Sequence, residues 1–504
     1  MKIITSLAAA TLLSTSLLAN TEASTADMQA QIDALTKKLE KMEKAQKAQS
    51  KQISAVNKKA NNDNLKFDVD FRTAYDNINY KTVSGKEYSN DALLSNRLWL
   101  GMGYAPSKTM FFKGQLSVNK AYGATAFNME NYNPQRAYGY DSFDWVMNEN
   151  LTDNALKVRE AYWLWMPKFG DYKYTVSVGR RPATNGYLIN LRDDDKAKSP
   201  MGHIINMEFD GASASIQLDS LVPGMYAKLC LGRGLTNANA RFTQSGLDYA
   251  FDKTKDVNGN SNLDTVDMLG LIFKPYDNGQ YSVMTKWYRG FNVPGMYATS
   301  IDGTTGAPNG PYTMVTAGDM DGAAISAKIE GIGDEWSDFL DETIVFASFA
   351  WSQSNPNETI NRTISTPDGT MSMATTGMMG SEDKESGTSY WLGAQMPNFT
   401  GGKLGLEYNH GSKYWRPFTY GEDTMIGSKM AVRGSAYEAY WTQPLMGKMF
   451  TMQVRYTYLD YDYTGSNAFF GDGGTPMKIE DAAAMGMDPV ETAQDIRVYF
   501  RYRY

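Results

Sequence analysis

The end of the chain, Gln494–Tyr504 (QDIRVYFRYRY), constrains the fold more than any other stretch. Ile496, Val498, Phe500, Tyr502 and Tyr504 fall on one face of an extended strand, and Arg497, Tyr499, Arg501 and Arg503 fall on the other, because successive side chains of a strand point to opposite sides. A soluble sheet has no use for a wide aromatic face backed by a row of arginines. A strand of about 10 residues, apolar on one side and charged on the other, is the unit of a membrane-spanning β-barrel. The bland alternative is an edge strand of a large secreted β-protein, and recurrence of the pattern along the chain weighs against it.

By length alone, 504 residues would fill about three domains, but a barrel escapes that expectation. Beyond the first 20 residues no apolar run reaches the ~18 residues of a membrane helix. A membrane protein of this composition must therefore be a closed barrel or a peripheral protein, because lipid cannot satisfy an open sheet edge. Lys2 followed by the apolar run Ile3–Ala19 reads as a signal peptide over residues 1–20, with cleavage after Ala19 or Ala23. Cys230 is the only cysteine, so no disulfide forms within the chain. The balance of 49 basic against 56 acidic residues, a net charge of −7, gives no case for nucleic acid.

Residues 21–61 carry Met28, Ile32, Leu35, Leu39, Met42, Gln46, Gln49, Ile53, Val56 and Ala60 at alternating four- and three-residue spacing, the seam of a coiled coil. The expectation is a periplasmic coiled coil that makes the protein an oligomer, a trimer rather than a dimer. A lone amphipathic helix is the alternative. Asn61, Asn62, Asp63 and Asn64 end the helix, and the barrel runs over residues 65–504.

Alternating segments in that span predict an all-β, antiparallel up-and-down barrel of about 16 strands, within a range of about 14 to 18. They are 65–75, 94–104, 110–120, 156–166, 173–180, 211–218, 225–232, 265–273, 280–289, 322–330, 343–351, 389–396, 402–410, 433–442, 449–461 and 494–504. Short and long connections alternate throughout, as periplasmic turns and extracellular loops do in bacterial barrels whose two ends lie in the periplasm. The terminal aromatic, Tyr504, resembles the signal by which such barrels are handed to their insertion machinery. Tyr104, Trp163, Trp165, Trp287, Trp391, Trp441 and Tyr504 lie near strand ends, where interfacial girdles are expected.

Asn96–Gly123, Val158–Trp165 (VREAYWLW), Ser177–Asp195 (SVGRRPATNGYLINLRDDD), Leu406–Thr419 and Ala439–Gly471 together resemble an uncharacterised family of porin-like outer-membrane proteins of Gram-negative bacteria, catalogued as a domain of unknown function. The resemblance covers most of the mature chain and implies an outer-membrane barrel; it names no solute. The REAY and VGRRP runs also resemble, at the level of fold only, phosphate-selective and general trimeric porins.

A barrel of this size encloses a hydrated lumen, so passive diffusion of small hydrophilic solutes is the first expectation. Inward positions include Asp68, Asp70, Arg72, Arg97, Lys113, Lys157, Arg159, Lys286, Glu407, Glu438, Arg455, Arg497, Arg501 and Arg503. Basic groups outnumber acidic ones there, which leans selectivity toward anions, since fixed charge sorts ions by sign. The loop 181–210 sets Arg180, Arg181 and Arg192 near Asp193, Asp194 and Asp195. Folded into the lumen, these groups would oppose one another at a constriction; left outside, they form a solvated surface loop. Asp256, Asn258, Asn260, Asn262, Asp264 and Asp267 have the spacing of a calcium loop. Ser261 in place of the turn glycine and Asp267 in place of a glutamate argue instead for an ordinary polar loop.

Only His203 and His410 could serve as imidazole bases, and no nucleophile motif accompanies them, so the chain does not read as an enzyme. Beside the homotrimeric porin stand two alternatives: a barrel sheathing an exported electron-transfer partner, and an adhesion or envelope-tethering protein.

Overall fold

The computed structural model describes residues 65–124, 144–235, 264–298, 312–333, 336–357, 360–366, 369–375, 379–466 and 475–504. The signal-peptide and coiled-coil expectations over residues 1–61 lie outside them. Leu65–Tyr504 forms one compact unit.

Sixteen strands make the wall. They are β1 (Lys66–Thr82), β2 (Glu87–Tyr104), β3 (Met110–Ala121), β4 (Lys157–Trp165), β5 (Tyr172–Ala183), β6 (Met207–Gln217), β7 (Tyr226–Leu235) and β8 (Val266–Asp277). The second half comprises β9 (Tyr281–Ala298), β10 (Tyr312–Glu330), β11 (Ile344–Pro356), β12 (Glu385–Pro397), β13 (Lys403–Gly411), β14 (Gly434–Met446), β15 (Phe450–Tyr461) and β16 (Val490–Arg503). Each pairs antiparallel with the next, and β16 returns to β1 in register from Asp70↔Arg503 to Thr82↔Val490. The ring is therefore closed, and no strand is left with an edge.

All sixteen predicted segments coincide with strands. The observed strands run further at the end away from the short turns: β1 continues to Thr82, β9 to Ala298, and β10 begins at Tyr312. Those extensions pair with each other, and in β1 and β2 they carry polar side chains, as in Asn79↔Ser89 and Lys81↔Glu87. No lipid-facing alternation marks them in sequence.

Outward side chains such as Phe71, Leu229, Leu271, Phe349, Leu406 and Phe500 are exposed, which only a lipid surround rewards. Tyr104, Trp163, Trp165 and Trp441 are likewise exposed, but Trp391 is fully buried and donates Nε1–H to Glu407 at 3.0 Å. It points into the barrel, against the girdle expected for it, because Ser389, Trp391 and Gln395 share the inward face of β12.

The bore itself departs from the open, hydrated channel expected from the strands. Residues 184–206, between β5 and β6, and residues 412–433, between β13 and β14, fold inward. They are joined by Asn206 N–H donating to the Phe418 carbonyl at 2.7 Å and Phe418 N–H donating to that of Ile204 at 3.0 Å. Leu188, Ile189, Met201, Ile204, Ile205, Trp415 and Phe418 pack on Ile272, Met284, Tyr288, Phe346 and Ala350 of the wall. One side of the interior is thus a hydrophobic core supplied mainly by the two segments, with Trp145 and Val146 joining from the β3–β4 connection, and the sheath reading loses the space a partner would need.

Inward glycines let aromatic rings lie flat across the neighbouring strand. Gly405 pairs with Tyr440, and a Cβ at residue 405 would meet that ring at 2.0 Å. Tyr440 in turn accepts a hydrogen bond from Gln395 at 3.1 Å, whose amide also holds the Leu191 carbonyl at 2.7 Å. Gly405→Val is expected to cost about 1–3 kcal/mol of stability, read as a lower urea midpoint of the detergent-solubilised barrel. Adding Tyr440→Ala should make the double variant less unstable than the sum of the two single effects, as removal of a clash requires.

Candidate functional site

Opposite the apolar half, β15, β16, β1 and β2 present arginines on successive inward positions: Arg455, Arg497, Arg72 and Arg97. Alternation along each strand aims all four inward, in two cross-strand pairs, Arg455↔Arg497 and Arg72↔Arg97, offset by four residues along β16 and β1, where Arg72 is opposite Arg501 and Arg497 opposite Asp76. The infolded segment 412–433 sets one carboxylate against this wall. Asp423 accepts from Arg72 Nη2 at 3.0 Å, Arg97 Nη1 at 3.3 Å and Arg497 Nη1 at 2.9 Å, while its backbone carbonyl accepts from Arg455 Nη2 at 2.7 Å. Burial would raise the Asp423 carboxyl, but Arg72 and Arg497 hold it well below the usual carboxylate range.

The other infolded segment is clipped to the wall between β12 and β16 through four consecutive carbonyls. Those of Leu191, Arg192, Asp193 and Asp194 accept from Gln395 (2.7 Å), Gln453 (2.7 Å), Arg501 (3.2 Å) and Arg503 (3.3 Å). Its side chains continue the pairing. Arg192 reaches Glu422 at 3.0 Å and Glu438 at 3.2 Å. Asp193 accepts from the Tyr499 hydroxyl at 3.0 Å, Asp194 pairs with Lys403, and Asp195 lies 3.0 Å from Arg501 and 2.9 Å from Arg503. Lys429 lies 2.7 Å from Glu407 and also pairs with Glu438. The backbone takes left-handed conformations at Leu188 (φ 76°) and Asp194 (φ 50°), strain that the clips hold in place.

Of the sequence-predicted group, Arg192, Asp193, Asp194, Asp195, Arg97 and Arg455 thus meet inside the barrel. Arg180 and Arg181 do not join them. Arg180 pairs with Asp144 and, at 3.2 Å, with Glu208; Arg181 donates to Ser213 Oγ at 3.1 Å and lies over the Tyr162 ring. The opposition sketched from sequence is corrected in its partners: Arg192 lies 3.8 Å from Asp193, but the aspartates otherwise face Arg501, Arg503 and Lys403, and Arg180 and Arg181 stay on β5. Arg159 forms a neighbouring knot with Glu149 (3.2 Å) and Glu208 (3.0 Å), and Trp99 is stacked between Arg97 and Arg159 at 3.5 and 3.9 Å. Lys113 lines a polar cavity of about 330 Å³ with Asp68, Asp70, Glu160, Asp195, Lys198 and Arg501.

Sequence reasoning missed Glu422, Asp423 and Lys429. Their signal was there in Trp415 and Phe418, large apolar residues in a stretch read as a loop, where a solvated surface would carry neither.

Of the calcium spacing, Asp256, Asn258, Asn260 and Asn262 lie outside the described residues. Asp264 donates its N–H to Thr316 Oγ1, and the Asp267 carboxylate is held by Arg233 Nε at 2.7 Å. Among the described residues no cluster suits a metal ion. His203 sits between Ser348 and Ser389 at 2.7 and 2.9 Å, and burial pulls its imidazole down to about 3; it is neutral at any physiological pH.

Residues 87–504 match a family described as "Protein of unknown function (DUF3373)". No curated protein matches the chain. Among solved structures, an anion-selective porin from Comamonas acidovorans is 10% identical with a TM-score of 0.47, covering 88% of this chain and 99% of its own. OmpT, an outer membrane protein of Vibrio cholerae, in a form lacking loop L8, is 10% identical with a TM-score of 0.44 over 88% and 99% of the two chains. OprB of Pseudomonas putida is 10% identical with a TM-score of 0.42, over 87% and 94%.

Asp423→Asn leaves buried arginines facing a neutral amide, and should cost about 3–5 kcal/mol in unfolding stability. Because the native carboxyl titrates below the unfolded one, its contribution is complete above the unfolded value of about 4 and is lost progressively as pH falls from there through the lower native value. The gap between wild type and variant, followed by tryptophan fluorescence in urea, should therefore be constant from pH 8 to about 5 and shrink only in stronger acid.

Proposed function

This chain belongs to the DUF3373 family of proteins of unknown function, and we propose that it is an outer-membrane porin through which small hydrophilic solutes diffuse passively. The observation that carries this reading is the charged side of the bore: a polar cavity of about 330 Å³ whose lining includes Asp195 and Arg501 of the ion-paired network. Six basic side chains line that cavity (Lys66, Lys113, Arg159, Lys196, Lys198, Arg501) against four acidic ones (Asp68, Asp70, Glu160, Asp195). This supports a lean toward anions. The heptads at residues 28–60 support a homotrimer in which each barrel conducts separately, exported by the signal peptide and with no catalytic role.

With both infolded segments in the lumen, conduction is restricted to the charged side and is slow for a barrel of this girth. The filled apolar half favours a second reading, a closed barrel that tethers the envelope. Planar-bilayer recording separates the two. The porin reading expects small steps in groups of three and a reversal potential, in a salt gradient, on the anion side. Asp423→Asn should enlarge the steps by loosening the inward segment. Silence from both wild type and variant would leave the tethering barrel.

A further inference from the structure

On the apolar side of the barrel three cations stand without an acid. Lys228 on β7 and Lys286 on β9 are aligned with Ile272 of the intervening strand, in the registers Lys228↔Ile272 and Ile272↔Lys286. Strand spacing puts their backbones about 10 Å apart on the same inward face. With Arg181 of β5 they border a cavity of about 80 Å³, closed by Ser199 and Pro200 of the infolded segment and by apolar groups of the wall. No residue lining it is acidic. Lys228 Nζ donates to Ser199 Oγ at 2.8 Å, and Arg181 to Ser213. Lys286 is 7% exposed and makes no hydrogen bond or ion pair among the described residues.

Every other deeply buried cation of this interior that the candidate site uses is matched by a carboxylate or a carbonyl. An unmatched ammonium beside two further positive groups is costly to bury. An anion between them removes that cost, and the cavity is large enough, since a water needs about 10–15 Å³ on the same measure. Ser199 and Ser213 add hydroxyl donors, as oxyanion recognition requires.

We propose that Arg181, Lys228 and Lys286 form an internal site for a small oxyanion, a carboxylate or phosphate group. The site deepens the porin reading and rests on it only in taking the anion to be a solute in transit.

Cys230, the one cysteine, lines the same cavity and serves as reporter. The full-length protein in detergent is titrated with sodium acetate and, separately, sodium phosphate, at constant ionic strength held by a bulky sulfonate. Binding is read by calorimetry and by the rate of Cys230 reaction with a small thiol reagent. The expected result is binding heat and protection of the thiol by the factor 1 + [L]/Kd, about tenfold at ten times Kd. Which salt does so distinguishes carboxylate from phosphate. Lys286→Met and Lys228→Met should each lose the heat and the protection while keeping the heat-resistant barrel mobility on gels. Absence of heat with both salts, or equal binding by the methionine variants, overturns the proposal. Anion binding without conductance would retain the site and remove the porin reading; conductance without binding would do the reverse.

Discussion

A backbone surrounded by hydrocarbon must satisfy its own hydrogen bonds, and the whole molecule follows from how this chain does so. Val69 N–H donates to the Tyr504 carbonyl at 2.9 Å and Tyr504 N–H returns the bond to Val69 at 2.9 Å, the outermost pair of the ladder that turns sixteen strands into a ring. Sheet edges cannot be left in lipid, and here the first and last strands complete each other along their length. The requirement also dictates side-chain pattern: with one face of every strand committed to lipid, all polar function is forced inward.

Inward space in a ring of this size exceeds what wall side chains can fill, and the chain supplies the remainder from its connections, chiefly residues 184–206 and 412–433, with Trp145 and Val146 added from the β3–β4 connection. Their attachment uses two kinds of physics on opposite sides. Against β8 to β11 the inward residues are mostly small or apolar, with Lys286 the basic exception, and Leu188, Ile189, Ile205 and Phe418 settle there as in any core. Against β15 to β2 the wall is arginine, and the segments answer with Asp195 and Asp423 and with carbonyl groups, while Glu422 ties one segment to the other through Arg192. Apolar burial alone would leave the segments free to slide; directional pairing to guanidinium groups fixes their height in the barrel.

Period-two alternation made the wall legible, because a lipid face leaves an unbroken record in every strand that crosses the membrane. Strand extensions beyond the membrane lost that record, and their ends were read short. The interior filling was written more faintly. In the stretch Leu269–Phe273 both faces are apolar, and the inward Gly270 and Ile272 are what a dry lumen wall looks like. The aspartates at residues 193–195 were legible as a candidate cluster, whereas their partners were not, since Arg501 and Asp195 are 306 positions apart and meet only after closure. Asp423 was hidden for the same reason, and Trp391 was misplaced because a tryptophan near a strand end has the same local sequence on either face.

The division of the interior also decides where its electric field originates. Around Asp423 and Arg192 each positive group faces a carboxylate or carbonyl within hydrogen-bonding distance, so the opposed charges cancel over a short range and hold structure more than they attract ions. Charge that acts at a distance must be unmatched. Among the described residues that excess resides in the basic majority of the polar cavity and in Lys286 behind the infolded segment. A low-dielectric surround lengthens the reach of such a charge, so a few unpaired lysines outweigh the larger paired network in setting the sign of the interior potential, even though the chain as a whole is acidic.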